Sequence, residues 1–263
     1  MNELTASLPT LQPHVLALAV LGARLVPMAF LCPLLGGQQA PTHVKLGVVL
    51  ALAWFIHFGC GVNLPEGSAE TLAFVGLAVR ELLLGTTLGL LASLPFDTAR
   101  LSGRFIDLFR GSSAEAALPL SGSRESASAD LLFQVLLGGC VTGVAFPLVL
   151  DGLVRSFVWA PPGAFAHTPE VAFEVATLVC GAFSTALAIS GPVAGVALAL
   201  DTALAFASRA SSGMNLQEVG SPAKLLAGGA VSWLLVGVVA ARLERGCVEL
   251  PEVLHAVLAL GSH

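Results

Sequence analysis

Tyrosine is absent from this chain, lysine occurs only as Lys45 and Lys224, and charged residues fill 11% of its 263 positions. Soluble globular domains carry about 25% charged residues. So low a charge content, with 56% hydrophobic residues and a mean hydropathy of +0.87, excludes an ordinary water-soluble fold. The missing tyrosine and scarce lysine read as coding bias and carry no functional weight. A formal charge of −5 and the want of any basic tract exclude a docking surface for nucleic acid. No CxxC pair joins Cys32, Cys60, Cys140, Cys180 and Cys247, so neither a zinc site nor a redox couple is indicated, and the five read as small buried apolar side chains. There is no HExxH, no GxSxG and no Walker-type glycine loop, and the six histidines are scattered. The expectation is a non-enzyme with no catalytic residues, no metal and no cofactor. Residues 1–13 lack the basic n-region of a signal peptide and carry Glu3, so the first apolar run is expected to stay as a span.

What fills the chain is long apolar runs. They fall at 14–35, 44–62, 69–94, 129–150, 171–207 and 223–241. A barrel would show short alternating segments instead, so the expected fold class is all-α: a polytopic membrane protein of about six hydrophobic segments at roughly 20 residues per span. The whole chain, 1–263, is expected to form one membrane domain. Pro27 and Pro33 suggest a kinked or broken first helix. The fifth run is too long for one ordinary span and is split at Gly191-Pro192, which leaves two readings, a pair of helices or one long broken helix. Between the third and fourth runs lie an amphipathic helix near 96–109 and a Gly/Ser-rich, flexible loop near 110–128. With the N-terminus outside, the loops on the opposite side hold Lys45, Arg100, Arg104, Arg110, Arg124, Arg209 and Lys224, against Arg155, Arg242 and Arg245, which favours that orientation.

Charge inside an apolar run costs a few kcal/mol or more unless it is paired or faces protein. Arg80 and Glu81 stand in the third run and are read as an ion pair with a partner in the chain or outside it. Asp201, deep in the fifth run, has two readings, a proton relay and a structural hydrogen bond to a neighbouring helix. Asp97, Arg100, Arg104 and Asp107 recur at spacings of three, four and three, which sets two acids and two bases on one helical stripe. That stripe lies at an interface, lines a polar passage, or is a solvated face. Gly85/Gly89, Gly139/Gly143 and Gly191/Gly195 each offer a four-residue small-side-chain spacing that admits close helix approach.

Four blocks together resemble the FliR/SctT family, a membrane subunit of the flagellar and virulence-associated type III export apparatus. The first is Arg24, Pro27 and Pro33 with Ala40-Pro41-Thr42-His43-Val44-Lys45. The second is Glu81-Leu82-Leu83-Leu84-Gly85, Leu88-Gly89, Phe96-Asp97, Ala99, Gly103 and Ile106-Asp107; the third is the apolar stretch from Phe146 to Ser156. The fourth is Pro192, Asp201, Arg209-Ala210, Met214-Asn215-Leu216 and Gly220-Ser221-Pro222-Ala223-Lys224. Ser212-Gly213 stands where the family usually has Pro-Gln, and Phe109-Arg110-Gly111 replaces a Gln-Gly, departures that lean toward the secretion branch.

The resemblance implies a non-enzymatic, multi-pass protein of the bacterial inner membrane, whose bent helical hairpins join SctR/FliP-like and SctS/FliQ-like subunits, with an SctU/FlhB-like subunit, in a helical export gate for unfolded protein substrates. It also implies assembly roles for Arg24, Arg80, Glu81, Gly85, Gly89, Asp201, Arg209, Asn215, Pro222 and Lys224. By the same analogy the segment holding Phe109, Arg110, Gly111, Leu118 and Pro119 is a plug loop. The alternative class is a secondary transporter of a small solute that uses Arg80/Glu81 and Asp201 at mid-membrane; the lack of a repeat at any fixed period weakens it.

Overall fold

Apolar runs with few charges satisfy their backbone best as helices, and a computed structural model of the chain is built of them. It describes all residues except 1, 38–39, 63, 66–69, 113–114, 117–124, 144, 211–215 and 262–263. The helices are α1 (Asn2–Leu31), α2 (Thr42–Gly59), α3 (Thr71–Arg110), α4 (Ala127–Thr142), α5 (Ala145–Trp159), α6 (Pro169–Ala210), α7 (Leu216–Val248) and α8 (Leu250–Gly261). Five helical stretches are long and apolar enough to cross a membrane, or six if α4 and α5 count as one broken span. The chain is a polytopic all-α membrane protein.

Several boundaries differ from the apolar runs. The first helix passes Pro27 and ends at Leu31, and Pro33 opens a single 3-10 turn, Pro33–Leu35. α3 is continuous from the apolar run into the amphipathic stripe, with Pro95 inside it. α6 likewise runs unbroken through Pro192. Proline removes one helical hydrogen bond, and hydroxyl groups near these sites turn back on carbonyls: Thr98 Oγ1 donates to Leu94 O at 2.7 Å and Ser190 Oγ to Leu187 O at 3.0 Å. The fourth run is two helices, and α8 extends beyond the sixth, which the runs did not anticipate. Its buried residues Leu254, Val257, Leu258 and Gly261 keep helical spacing behind a proline at the second helical position. Within the stretch near 110–128, Glu115–Ala116 pairs antiparallel with Glu125–Ser126. Cys32, Cys140 and Cys247 are buried, whereas Cys60 and Cys180 are exposed, because the first caps the end of α2 and the second faces outward from α6.

The chain divides into two compact units whose boundaries fall inside α3, α6 and α7 and between α4 and α5. Unit 1 comprises 1–93, 143–178 and 247–263. In it α1 packs on α2, and α5 on α8, around Leu21, Met28, Ile56, Leu88, Leu153 and Phe157, all nearly inaccessible. α3 lies so close to α1 that a Cβ on Gly85 would stand 2.1 Å from the carbonyl oxygen of Arg24 and one on Gly89 3.1 Å from Met28 Cα. Glycine is obligatory at the first of these positions.

Unit 2 comprises 94–142 and 179–246. Its core joins the end of α3 to α4: the rings of Phe96 and Phe133 meet edge to face at 6.0 Å, and a Cβ on Gly103 would come within 2.3 Å of Ala129 Cα. α6 and α7 complete it.

Candidate functional site

Two charge clusters stand out, one in each unit. In unit 1 the long side chain of Arg24 leaves α1 and is wholly buried. Its Nε donates to Glu81 Oε2 of α3 at 2.5 Å, Nη1 donates to Ser156 O at 3.1 Å and Nη2 to Ala160 O at 2.9 Å, while the guanidinium carbon sits 4.3 Å from the Phe157 ring centre. Glu81, 1% exposed, uses its other oxygen to accept the Gly163 N–H at 2.9 Å. Gly163 has φ +85°, a conformation that glycine adopts without strain and that aims its N–H at the carboxylate. One guanidinium therefore ties α1, α3 and the end of α5 together, an assignment that suits arginine's rigid fork and not lysine.

Arg80 and Glu81 do not form the ion pair expected from their place in the apolar run, since Glu81 pairs with Arg24. Adjacent helical residues point about 100° apart, so Glu81 turns inward to Arg24 and Arg80 is exposed. With both Glu81 oxygens committed, the Arg80/Glu81 couple that a transporter would use at mid-membrane is not formed. Close by, on the connection after α5, burial lowers the pKa of His167; the charge of Arg80 adds to that effect and Glu81 opposes it.

In unit 2 the stripe Asp97, Arg100, Arg104, Asp107 does not behave as one surface. Arg104 is exposed and Asp97 half-buried, whereas Arg100 stacks over Phe133, 3.9 Å from its centre, and Asp107 is 3% exposed. Asp107 caps α4: Oδ2 accepts the Ser128 N–H at 2.9 Å and Oδ1 accepts the Ser128 hydroxyl at 2.6 Å. An acid at a helix N-terminus meets both free N–H groups and the positive end of the dipole. Arg110 reaches Asp107 Oδ1 at 3.5 Å, Ser128 Oγ at 3.5 Å and Leu225 O of α7 at 3.3 Å. Asp201 pairs with Lys224 across α6 and α7, their side chains 50% and 26% exposed; this is an ion pair and not the lone buried acid of a relay.

Arg209 and Pro222 are exposed, Phe109 is half-buried and Gly111 is exposed with φ +68° at the end of α3. Asn215, Leu118 and Pro119 lie outside the described residues. Of the glycine pairs, Gly191/Gly195 face open space. Residues that spacing did not indicate include Gly163, Ser128 and Phe157. Another is the pair His14 and His57, which share a 2.9 Å hydrogen bond although 43 positions apart. No local signal marks any of them, since each acts on a residue tens of positions away.

Comparison with known proteins places the same blocks in a family. The family described as bacterial export proteins, family 1, matches residues 15–250. The chain is 27% identical over 208 residues to the flagellar biosynthetic protein FliR of Bacillus subtilis, covering 78% of each. It is 28% identical over 196 residues to the Yop proteins translocation protein T of Yersinia pestis, covering 73% of this chain and 72% of that one, and 24% identical over 239 residues to FliR of Escherichia coli, covering 90% of each. The family match spans both clusters, from Arg24 and Glu81 to Asp107, Asp201 and Lys224, and this chain belongs to the FliR/SctT family of bacterial export proteins.

Proposed function

We propose that this chain is a non-enzymatic structural subunit of a type III secretion export gate, one module over 1–263 that forms and seals an inner-membrane conduit for unfolded protein substrates. The observation that carries the proposal, beside family membership, is the contrast between satisfied buried charge and unsatisfied apolar surface. Arg24 and Glu81 are sealed inside unit 1, yet large apolar side chains stand out from α6 and α7: Phe173 is 74% exposed, Phe206 71%, Trp233 76% and Leu234 70%. Lipid covers part of such a surface. Helix faces carrying half-exposed ion pairs such as Asp201–Lys224 are better suited to protein neighbours, because charge at membrane depth is costly against lipid.

The neighbours proposed are SctR/FliP-like and SctS/FliQ-like membrane subunits, with an SctU/FlhB-like subunit beside them. Energy for transport would come from outside this chain, from an associated ATPase and the proton-motive force. Residues 109–122 are proposed as the plug of the closed gate, moving aside during secretion.

Affinity purification of the tagged chain from solubilised native membranes, with mass spectrometry of stable companions, tests the assembly. Small SctR- and SctS-like proteins in excess over the chain are expected; a monodisperse protein without companions overturns the proposal. Deletion of 112–120 should leave that complex intact and make the membrane leak small solutes, and unchanged permeability would remove the plug.

A further inference from the structure

Among the described residues, two cavities of unit 2 share one side chain. The first, about 270 Å³, is walled by Ile106, Leu132, Val193, Trp233, Val236 and Val239. Its polar groups come from Arg110, Ser128 and Ser232. Both hydroxyls are spent, Ser128 Oγ on Asp107 at 2.6 Å and Ser232 Oγ on Gly228 O at 2.7 Å. Arg110 is the charged residue of this lining, and its guanidinium has donors to give. The second cavity, about 460 Å³, is lined by Arg110 again with Asp201, Ser208, Ser221 and Lys224.

Arg110 is poorly coordinated for a cation so placed. Its three contacts run from 3.3 to 3.5 Å, whereas a charge-assisted N–H···O bond is usually about 2.7–2.9 Å. Its Nε is buried with no acceptor. The slot that admits it is cut into α7 by glycine, since a Cβ on Gly228 would stand 2.5 Å from Arg110 Cγ and one on Gly229 3.2 Å from Nη2. A half-buried cation, its side chain 19% exposed, that is short of close acceptors calls for an oxyanion.

An apolar cavity ending at an under-coordinated guanidinium, with a polar cleft lined by the same residue, has the chemistry of an amphiphile site. The amphiphile that surrounds a polytopic membrane protein is phospholipid. The geometry points to one bound membrane phospholipid, with an acyl chain in the apolar cavity, its phosphodiester on Arg110, and the rest of the headgroup in the cleft of Lys224 and Asp201. A close phosphate oxygen would supply the acceptor that Asp107, whose oxygens already serve Ser128, meets only at the limit of hydrogen bonding. The site depends on unit 2 alone and does not require the export reading.

The full chain, purified in detergent and delipidated, is titrated with phosphatidylglycerol, with diacylglycerol of the same acyl chains and with inorganic phosphate, and read by native mass spectrometry. One phosphatidylglycerol per chain is expected, bound at least tenfold tighter than diacylglycerol, with no retention of phosphate alone. Val193→Phe, which fills the apolar cavity, and Arg110→Gln should each weaken retention tenfold or more, while Arg110→Lys should keep part of it. Leu198→Phe, a substitution on the exposed outer face of α6, controls for lipid bound at the general surface and should change nothing. Equal retention of diacylglycerol, or unchanged retention in a folded Val193→Phe variant, overturns the proposal. So does retention of phosphate alone, or a partner side chain cross-linking into the cavity of the assembled complex. If Arg110→Gln does not fold, Val193→Phe and the diacylglycerol comparison decide.

Discussion

Removing one partner of the Arg24–Glu81 pair should damage the protein more than removing both. In Glu81→Ala, the guanidinium of Arg24 keeps its bonds to the Ser156 and Ala160 carbonyls but loses the carboxylate 2.5 Å from Nε, and the Gly163 N–H loses its acceptor. An uncompensated charge in a fully buried site costs about 3–5 kcal/mol, and the orphaned amide adds about 1–3 kcal/mol. The first figure alone is about two to four decades in the folding equilibrium at 1.36 kcal/mol per decade. Arg24→Met with Glu81→Ala together should recover a large part of that loss, since Met fills much of the arginine's volume and leaves no buried cation. The assay is thermal unfolding of the purified chain in one detergent, for wild type, both single variants and the double, read as a double-mutant cycle. Glu81→Gln, which keeps an acceptor without the charge, should fall between wild type and Glu81→Ala. Equal melting of Glu81→Ala and wild type, or strictly additive losses in the double variant, would refute the reasoning. Recovery of the assembled complex should follow the same order.

Three further outcomes follow from the packing. Asp107→Ala removes the cap of α4 and should destabilise by about 1–3 kcal/mol, whereas Arg104→Ala, at an exposed position of the same stripe, should cost no more than about 1 kcal/mol; equal losses in detergent melts would mean that the stripe is uniform after all. Gly85→Ala forces a Cβ against the Arg24 backbone and should cost about 1–3 kcal/mol or more, while Gly195→Ala, which meets open space, should be neutral to slightly stabilising through helix propensity, as comparative melting will show. Asp201→Ala should cost the isolated chain no more than about 1 kcal/mol because the pair is half-exposed, so a large loss of complex recovery beside a small loss in melting would assign the residue to assembly.

The helical class and the positions of most apolar segments were legible because hydropathy over some 20 residues decides them and no tertiary contact can reverse it. Helix continuity was not. The third run ends before Pro95 and the fifth is split at Pro192, yet α3 and α6 pass through both prolines, as transmembrane helices tolerate proline when hydroxyls and neighbours take up the freed groups. The spacing at 97–107 revealed the stripe but not its division. Asp107 is buried because α4 begins against it, and the hydroxyl that holds it, Ser128, is 21 positions away. The same limit hid the partner of Glu81. Its neighbour Arg80 is adjacent in sequence but on another face, while Arg24 is 57 positions distant and becomes its partner only when α1 and α3 pack. α8 was missed because its apolar face is short and follows charged residues, and its burial comes from α5 rather than from overall hydropathy.

The charges of this chain sort by who satisfies them, and that sorting separates fold from assembly. Arg24, Glu81 and Asp107 are 3% exposed or less and find their bonds within the chain; mutating them is a question about folding. Asp201 and Lys224 are paired but half-open, and Arg80 is exposed in a helix of membrane-spanning length, so their desolvation is incomplete until something covers them. A surface ion pair contributes about 0–1 kcal/mol in water, but covering it with protein raises both its attraction and the penalty for breaking it. Charges of the second kind are therefore nearly silent in the isolated chain and strong once neighbours exclude water. If the outward faces of α6 and α7 meet only lipid, substitutions at Asp201 and Lys224 will be as mild in the membrane as in detergent; if they meet protein, the isolated chain will tolerate changes that the complex does not.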